Sequence, residues 1–155
     1  MFTQDQIEEI VELLASLDKN TKVYLGCDSV RIQKNGRIYG KYASVCIIHM
    51  NGKNGCRIFS QKSYEPDYDA KPDRPRMRMM NEVIKVCELY NQLIPFIDEY
   101  DIEIHLDISK DPKHGSNVAA QEAAGYVLGV TSVEPKLKPN SWASSFGADY
   151  VANKG

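Results

Sequence analysis

Two aspartates interrupt stretches that are otherwise apolar. Asp107 lies between Leu106 and Ile108 in "HLDIS" (105–109), and Asp28 closes the apolar run of "YLGCDSV" (24–30). Strand alternation sends Val23, Leu25 and Cys27 to one face and Tyr24, Gly26 and Asp28 to the other, while Glu103, His105 and Asp107 share a face. If the two strands are parallel neighbours, Asp28 and Asp107 stand side by side near their C-terminal ends, where open α/β sheets bind ligands. Adjacent carboxylates repel, so one must hold a proton or a cation must sit between them. A hard divalent ion with oxygen ligands meets that need. Glu82 lies about 100° around its helix from Val83, on the shoulder of the apolar face, from which it can reach over a sheet edge. Asp149 is a candidate fourth ligand, in a helix anchored by Trp142, Phe146 and Val151. Each acid has a plainer alternative: an Asx turn for Asp28, a surface position for Asp107, and a solvated helix face for Glu82 and Asp149.

These residues need elements to hold them. Residues 4–17 place Ile7, Ile10, Val11, Leu13, Leu14 and Leu17 at helical spacing behind Thr3 as N-cap. "KVYLGCDSV" (22–30), "GRIYGKYASVCIIHM" (36–50) and "CRIFSQKSYE" (56–65) are strands joined by the turns "QKNG" and "NGKNG", an antiparallel meander. "PDYDAKPDRP" (66–75) is a loop into a helix from about 75 to 99, which Pro95 kinks or divides near its end. "DIEIHLDIS" (101–109) is a fourth strand, "VAAQEAAGYVLGV" a small-residue helix, and "TSVEPKLKP" (131–139) a short strand interrupted by Pro135. A last helix starts from a cap at Asn140 or Ser141. A meander followed by strand and helix in alternation implies an α/β domain with a mixed five-stranded sheet, three strands antiparallel and then two parallel, and helices on its faces.

The 155 residues are expected to form one domain. With 43% hydrophobic and 26% charged residues and no apolar run long enough to span a bilayer, a membrane protein is excluded. "MFTQDQIEEI" has no positive n-region or apolar h-region, which makes the expected location cytoplasmic. Cys27, Cys46, Cys56 and Cys87 form no C-x-x-C pair, and the three histidines do not supply a zinc set, so buried thiols are expected.

The sequence of elements, with "GCDS", "RMRMMNEV", "HLDIS", "SN" (116–117), "GYVLG" and "KPNSWASSFGAD", resembles the ribonuclease H-like superfamily. Within it, the chain is similar to the bacterial and phage YkuK-like family over nearly its whole length. The resemblance implies a ribonuclease H-like fold with helices on both faces, to which the N-terminal helix read above is an addition. It also implies four acids at matching elements: Asp28 on the first strand, Glu82 on the first long helix after the meander, Asp107 on the fourth strand and Asp149 in the last helix. His114 follows the fourth strand rather than preceding the last acidic helix, so a histidine usual near the last acid is missing.

The expected chemistry is phosphodiester hydrolysis of RNA, DNA or a hybrid with two Mg²⁺ or Mn²⁺ ions. Asp28 would bridge the ions, Glu82 and Asp107 would complete one site and Asp149 the other. Arg74, Arg76 and Arg78, with Lys71, precede Glu82, while Lys110 and Lys113, with His114, follow Asp107; these are the expected nucleic-acid contacts. Tyr64, Tyr68 and Trp142 could stack on bases. A competing expectation keeps the fold and loses the chemistry, leaving a protein that binds nucleic acid or a partner around an inactive acid cluster. A sugar-kinase-like ATPase is disfavoured, because no G-x-x-x-x-G-K-[ST] loop is present.

Overall fold

The computed structural model describes residues 1–18, 20–50, 55–67, 76–109, 117–138 and 140–143. Helix α1 (Gln4–Ala15) starts at a capping box, in which Thr3 Oγ1 accepts from the Gln6 backbone N–H and the Gln6 side chain accepts from the Thr3 N–H. It buries Ile7, Ile10 and Leu14. Gln6 also donates to the Ser60 carbonyl, and Phe2 exchanges two backbone hydrogen bonds with the Gln92 amide, so this extra helix is tied both to the sheet and to the long helix.

Strands β1 (Lys22–Lys34) and β2 (Arg37–His49) form a hairpin around Asn35 and Gly36, both with positive φ (54° and 75°). That pair of dihedral signs is the type I′ turn favoured by Asn-Gly, whose twist matches the strands. β1 runs four residues beyond the predicted Val30, because the tight turn lets the hairpin ladder continue to Lys34 opposite Arg37. β3 (Cys56–Pro66) pairs antiparallel with β2 and completes the meander. Helix α2 (Arg76–Ile97) returns the chain to β4 (Asp101–Ser109), which pairs parallel with β1. Helix α3 (Asn117–Thr131) leads to β5 (Lys136–Lys138), parallel to β4. The sheet order is β3-β2-β1-β4-β5.

β5 is shorter than the predicted 131–139. α3 carries on to Thr131, whose hydroxyl donates back to the Val127 carbonyl and accepts from the Val133 N–H, and the ladder starts only after Pro135, which has no N–H to give. Pro95 does not end α2. The carbonyl it leaves unpaired belongs to exposed Asn91, where water can serve it.

Alternation divides the sheet as expected. Val23, Leu25, Cys27, Cys46, Ile48, Ile104, Leu106 and Ile108 form one core with all three helices, including Val83, Val86, Leu89, Leu93 and Ile97 of α2. Each fully buried aliphatic side chain there contributes about 1.5–3 kcal/mol. Tyr24, Val45 and Ile47 face the other way and meet Ala143. The predicted last helix, with its cap at Asn140 or Ser141, is described only as far as Ala143, and the rest lies outside the described residues. Cys27, Cys46 and Cys87 are buried free thiols, whereas Cys56 is exposed. No described helix is long and apolar enough to cross a membrane.

Candidate active site

The β1–β4 pairing runs from Lys22–Asp101 to Gly26–His105, and the same offset sets Asp28 level with Asp107. Asp28 is buried, and β1 does not stop there: the residue stays in the ladder opposite Ala43. Its Oδ1 accepts the Ser29 backbone N–H at 2.8 Å, a bond to the very next residue, whereas an Asx turn would use the N–H two residues on.

Ser29, the next residue along, points to the opposite face, toward α2. Its hydroxyl donates to Glu82 Oε1 at 2.6 Å, a charge-assisted length when the carboxyl is ionised. Arg78, one helical turn before Glu82, places Nη1 at 3.3 Å from Ser29 Oγ and 3.4 Å from the Ser29 carbonyl. Its Nε lies 3.5 Å from Asp67 Oδ2, which Arg31 Nε also approaches at 3.5 Å. Asp67, at the end of β3, thus lies between two guanidinium groups and fixes Arg78 against β1. Glu82 thereby reaches the acids from the helix side, as a shoulder position allows.

On the far side of Asp107, β5 contributes Lys138. Its Nζ lies 2.7 Å from Asp107 Oδ1. The β4–β5 register shifts between His105 and Ser109, which are paired with Lys136 and Lys138, so Asp107 lies within the irregular stretch.

The charges act on one another. Burial pushes the Glu82 pKa well above the ordinary carboxylate value, and the nearby charges of Asp28 and Asp107 push it the same way; the Ser29 hydrogen bond and Arg78 pull it down. Lys138 is raised chiefly by its hydrogen bond to Asp107, against partial burial, with the charges of Asp107, Asp28 and Glu82 adding to the rise. Burial likewise drives the Cys27 thiol upward, with Glu82 second among the causes. Asp28, Glu82, Asp107 and Lys138 therefore form one electrostatic unit.

His105, two residues before Asp107, is fully buried. Its Nδ1 accepts the Ala143 N–H at 3.1 Å, which requires the proton on Nε2, the nitrogen 3.5 Å from Glu103 Oε1. Burial lowers its pKa, with Glu103 opposing. Its ring lies 5.2 Å from Tyr24 and 5.6 Å from Trp142, centroid to centroid, and Trp142 stands edge-on to Tyr24 at 4.7 Å. Trp142 remains 40% exposed.

Of the four predicted acids, the fold sets Asp28 level with Asp107 and brings Glu82 to the adjoining Ser29, without gathering the three closely enough to hold an ion, and Asp149 lies outside the described residues. So do Lys71, Arg74, Lys110, Lys113, His114 and Tyr68; Arg76 opens α2, and Arg78 is turned inward onto Ser29 and Asp67. Tyr64 is 55% exposed on the edge strand β3. Ser29, Asp67, His105 and Lys138 were not singled out from the sequence for the parts they play here. Lys138 carries a faint signal, as one of two alternating lysines in a strand that the topology sets beside Asp107.

The donor set, three carboxylates with hard oxygen atoms, suits Mg²⁺ or Mn²⁺. Among the described residues, no three His, Cys, Asp or Glu side chains are gathered closely enough to hold an ion. Asp107 is engaged with Lys138 and Glu82 with Ser29. The chemistry of the set fits a divalent cation, and an ammonium stands at one of its members.

A three-stranded meander followed by two parallel strands in the order β3-β2-β1-β4-β5, with acids on β1, β4 and the intervening helix, defines a ribonuclease H-like protein. The family model described as ribonuclease H-like matches residues 5–153, and the chain belongs to that family. Comparison with curated proteins and with solved structures returned no match.

Proposed function

We propose that the protein is a divalent-metal-dependent nuclease that hydrolyses phosphodiester bonds of RNA or DNA. The observation that carries this reading is the placement of Asp28 level with Asp107 at the C-terminal end of the β1–β4 pair, with Glu82 bonded to the adjoining Ser29, in a ribonuclease H-like chain. Asp28, Glu82, Asp107 and Asp149 would hold two Mg²⁺ or Mn²⁺ ions. Bound there, such ions supply Lewis acidity, lowering the pKa of a water and offsetting charge on the leaving oxygen.

The chain's own residues do the rest. Ser29 fixes the Glu82 carboxyl, and Arg78, held by Asp67, fixes Ser29. Arg74, Arg76, Lys110 and Lys113 flank the acids in sequence and would hold the phosphate backbone, so binding weakens steeply with salt. In this proposal Arg78 positions Ser29, and the phosphate contacts fall to the other four.

The test incubates wild type and the Asp28→Asn, Asp107→Asn double variant with Mn²⁺ and labelled single-stranded, duplex, hybrid and branched nucleic acids. Cleavage by wild type alone supports the proposal; no cleavage by wild type, or equal cleavage by both, sinks it. The Lys138–Asp107 contact favours one other reading, a nucleic-acid-binding or partner-binding protein with an inactive centre. That reading expects metal-independent binding that survives Asp28→Asn.

A further inference from the structure

Among the described residues, Lys138 brings an ammonium directly onto Asp107 of the acid centre. Its ammonium lies 2.7 Å from Asp107 Oδ1, an ion-pair contact at an oxygen that a metal ion would need. Among the described residues, Arg31 and Arg78 both approach Asp67, and Arg78 also contacts Ser29. Lys138 is also placed to leave. Its side chain is 48% exposed, so the ammonium can swing into water on its four-carbon stem, while the Asp107 Oδ1 that it leaves is buried and then calls for another cation. β5 helps, because it is a three-residue strand with a shifted register against β4 at this point.

We propose that Lys138 is a displaceable internal counter-ion: a divalent ion enters the centre by driving the ammonium off Asp107, and Lys138 thereby sets the metal concentration at which the centre loads. The inference rests on the metal-dependent reading above and assigns that site its regulation. An ammonium and a hard metal ion seek the same carboxylate oxygen, and two cations in one small centre repel, so their occupancies are mutually exclusive.

The test is a Mn²⁺ titration, followed by calorimetry and by loss of the free-ion magnetic resonance signal, on wild type, Lys138→Met, Lys138→Gln, Lys138→Arg and Asp28→Asn. Both uncharged variants are expected to bind Mn²⁺ roughly tenfold tighter than wild type or better, the lower end of what one competing charge a few ångströms away is worth in a part-solvated site. Lys138→Arg, which keeps the charge, stays near wild type. A thermal melt gives a second readout: without metal the uncharged variants melt below wild type, and saturating Mn²⁺ raises their midpoint more than it raises that of wild type. If wild type and the uncharged variants bind Mn²⁺ equally while Asp28→Asn binds none, Lys138 is not a competitor and the metal site stands. If none of the five proteins binds Mn²⁺, the inference and the metal reading fall together.

Discussion

Replacing Glu82 by Gln tests the electrostatics of the centre without any substrate. Burial, then Asp28 and Asp107, hold the folded-state pKa of Glu82 well above its ordinary 4.5. Between the unfolded and folded values, the folded chain carries the extra proton. The contribution of this group to stability is therefore fully present below pH 4.5 and is lost as pH rises through the folded-state pKa. Within that window the slope for one proton is about 1.4 kcal/mol per pH unit. Gln retains an Oε1 that can accept the 2.6 Å bond from Ser29 and has no proton to lose. In the presence of a chelator, Glu82→Gln should then be the more stable protein at neutral pH, with an advantage that shrinks toward acid. Each kcal/mol corresponds to about 2–4 °C in Tm for a chain of this size. Urea denaturation of both proteins from about pH 5 to about pH 8 measures it, and subtracting the curves removes every other titrating group common to the two. Parallel curves, or a variant that is less stable at all pH values, would refute the charge coupling argued for the three acids.

Other consequences follow from the same contacts. Ser29→Ala removes the hydroxyl between Glu82 and Arg78 and should cost about 1.5–3 kcal/mol, read from the urea midpoint, with less loss when Glu82→Gln is already present. His105 is held neutral by burial, with a folded-state pKa below its ordinary 6.5, so its contribution to stability is present above pH 6.5 and falls away as pH drops through the folded-state value. His105→Phe should flatten that acid limb while costing about 1–3 kcal/mol for the Ala143 N–H left without its acceptor, both visible in melts across pH. Leu93→Ala, in the fully buried face of α2, should cost about 2–5 kcal/mol in chemical denaturation and leave Mn²⁺ affinity unchanged in the protein that remains folded.

The sequence was most readable where a single period governs. The alternation of β4 and the Asn-Gly turn each have one local solution, and the structure adopts it. Asp28, Glu82 and Asp107 fall on β1, α2 and β4 as read from the sequence, because strand phase and helix phase are local properties. What escaped were groups whose meaning is purely tertiary. Ser29 is unremarked beside an aspartate until α2 lands on it, and Asp67 looks like a loop residue until two arginines close around it. Lys138 belongs to a strand too short for its pattern to carry weight, and only the neighbouring β4 gives its charge a partner. The end of β5 nearer to α3 was overestimated because β-branched Thr131 and Val133 suggest a strand, whereas Thr131 spends its hydroxyl closing the helix.

The hairpin turn at Asn35 and Gly36 has a reach beyond its own geometry. Asp28 lies seven residues back along β1, about 23 Å away at the rise of an extended chain. Yet that turn fixes which neighbour in the sequence Asp-Ser faces which side of the sheet. An added or deleted residue there must be absorbed as a bulge or passed down the ladder as a one-step slip, and a slip would turn the carboxylate toward α2 and the hydroxyl away from it. A stretch with no chemical group of its own thus acts as the clock setting of the centre, and changes in its length should be felt first in the distant acids.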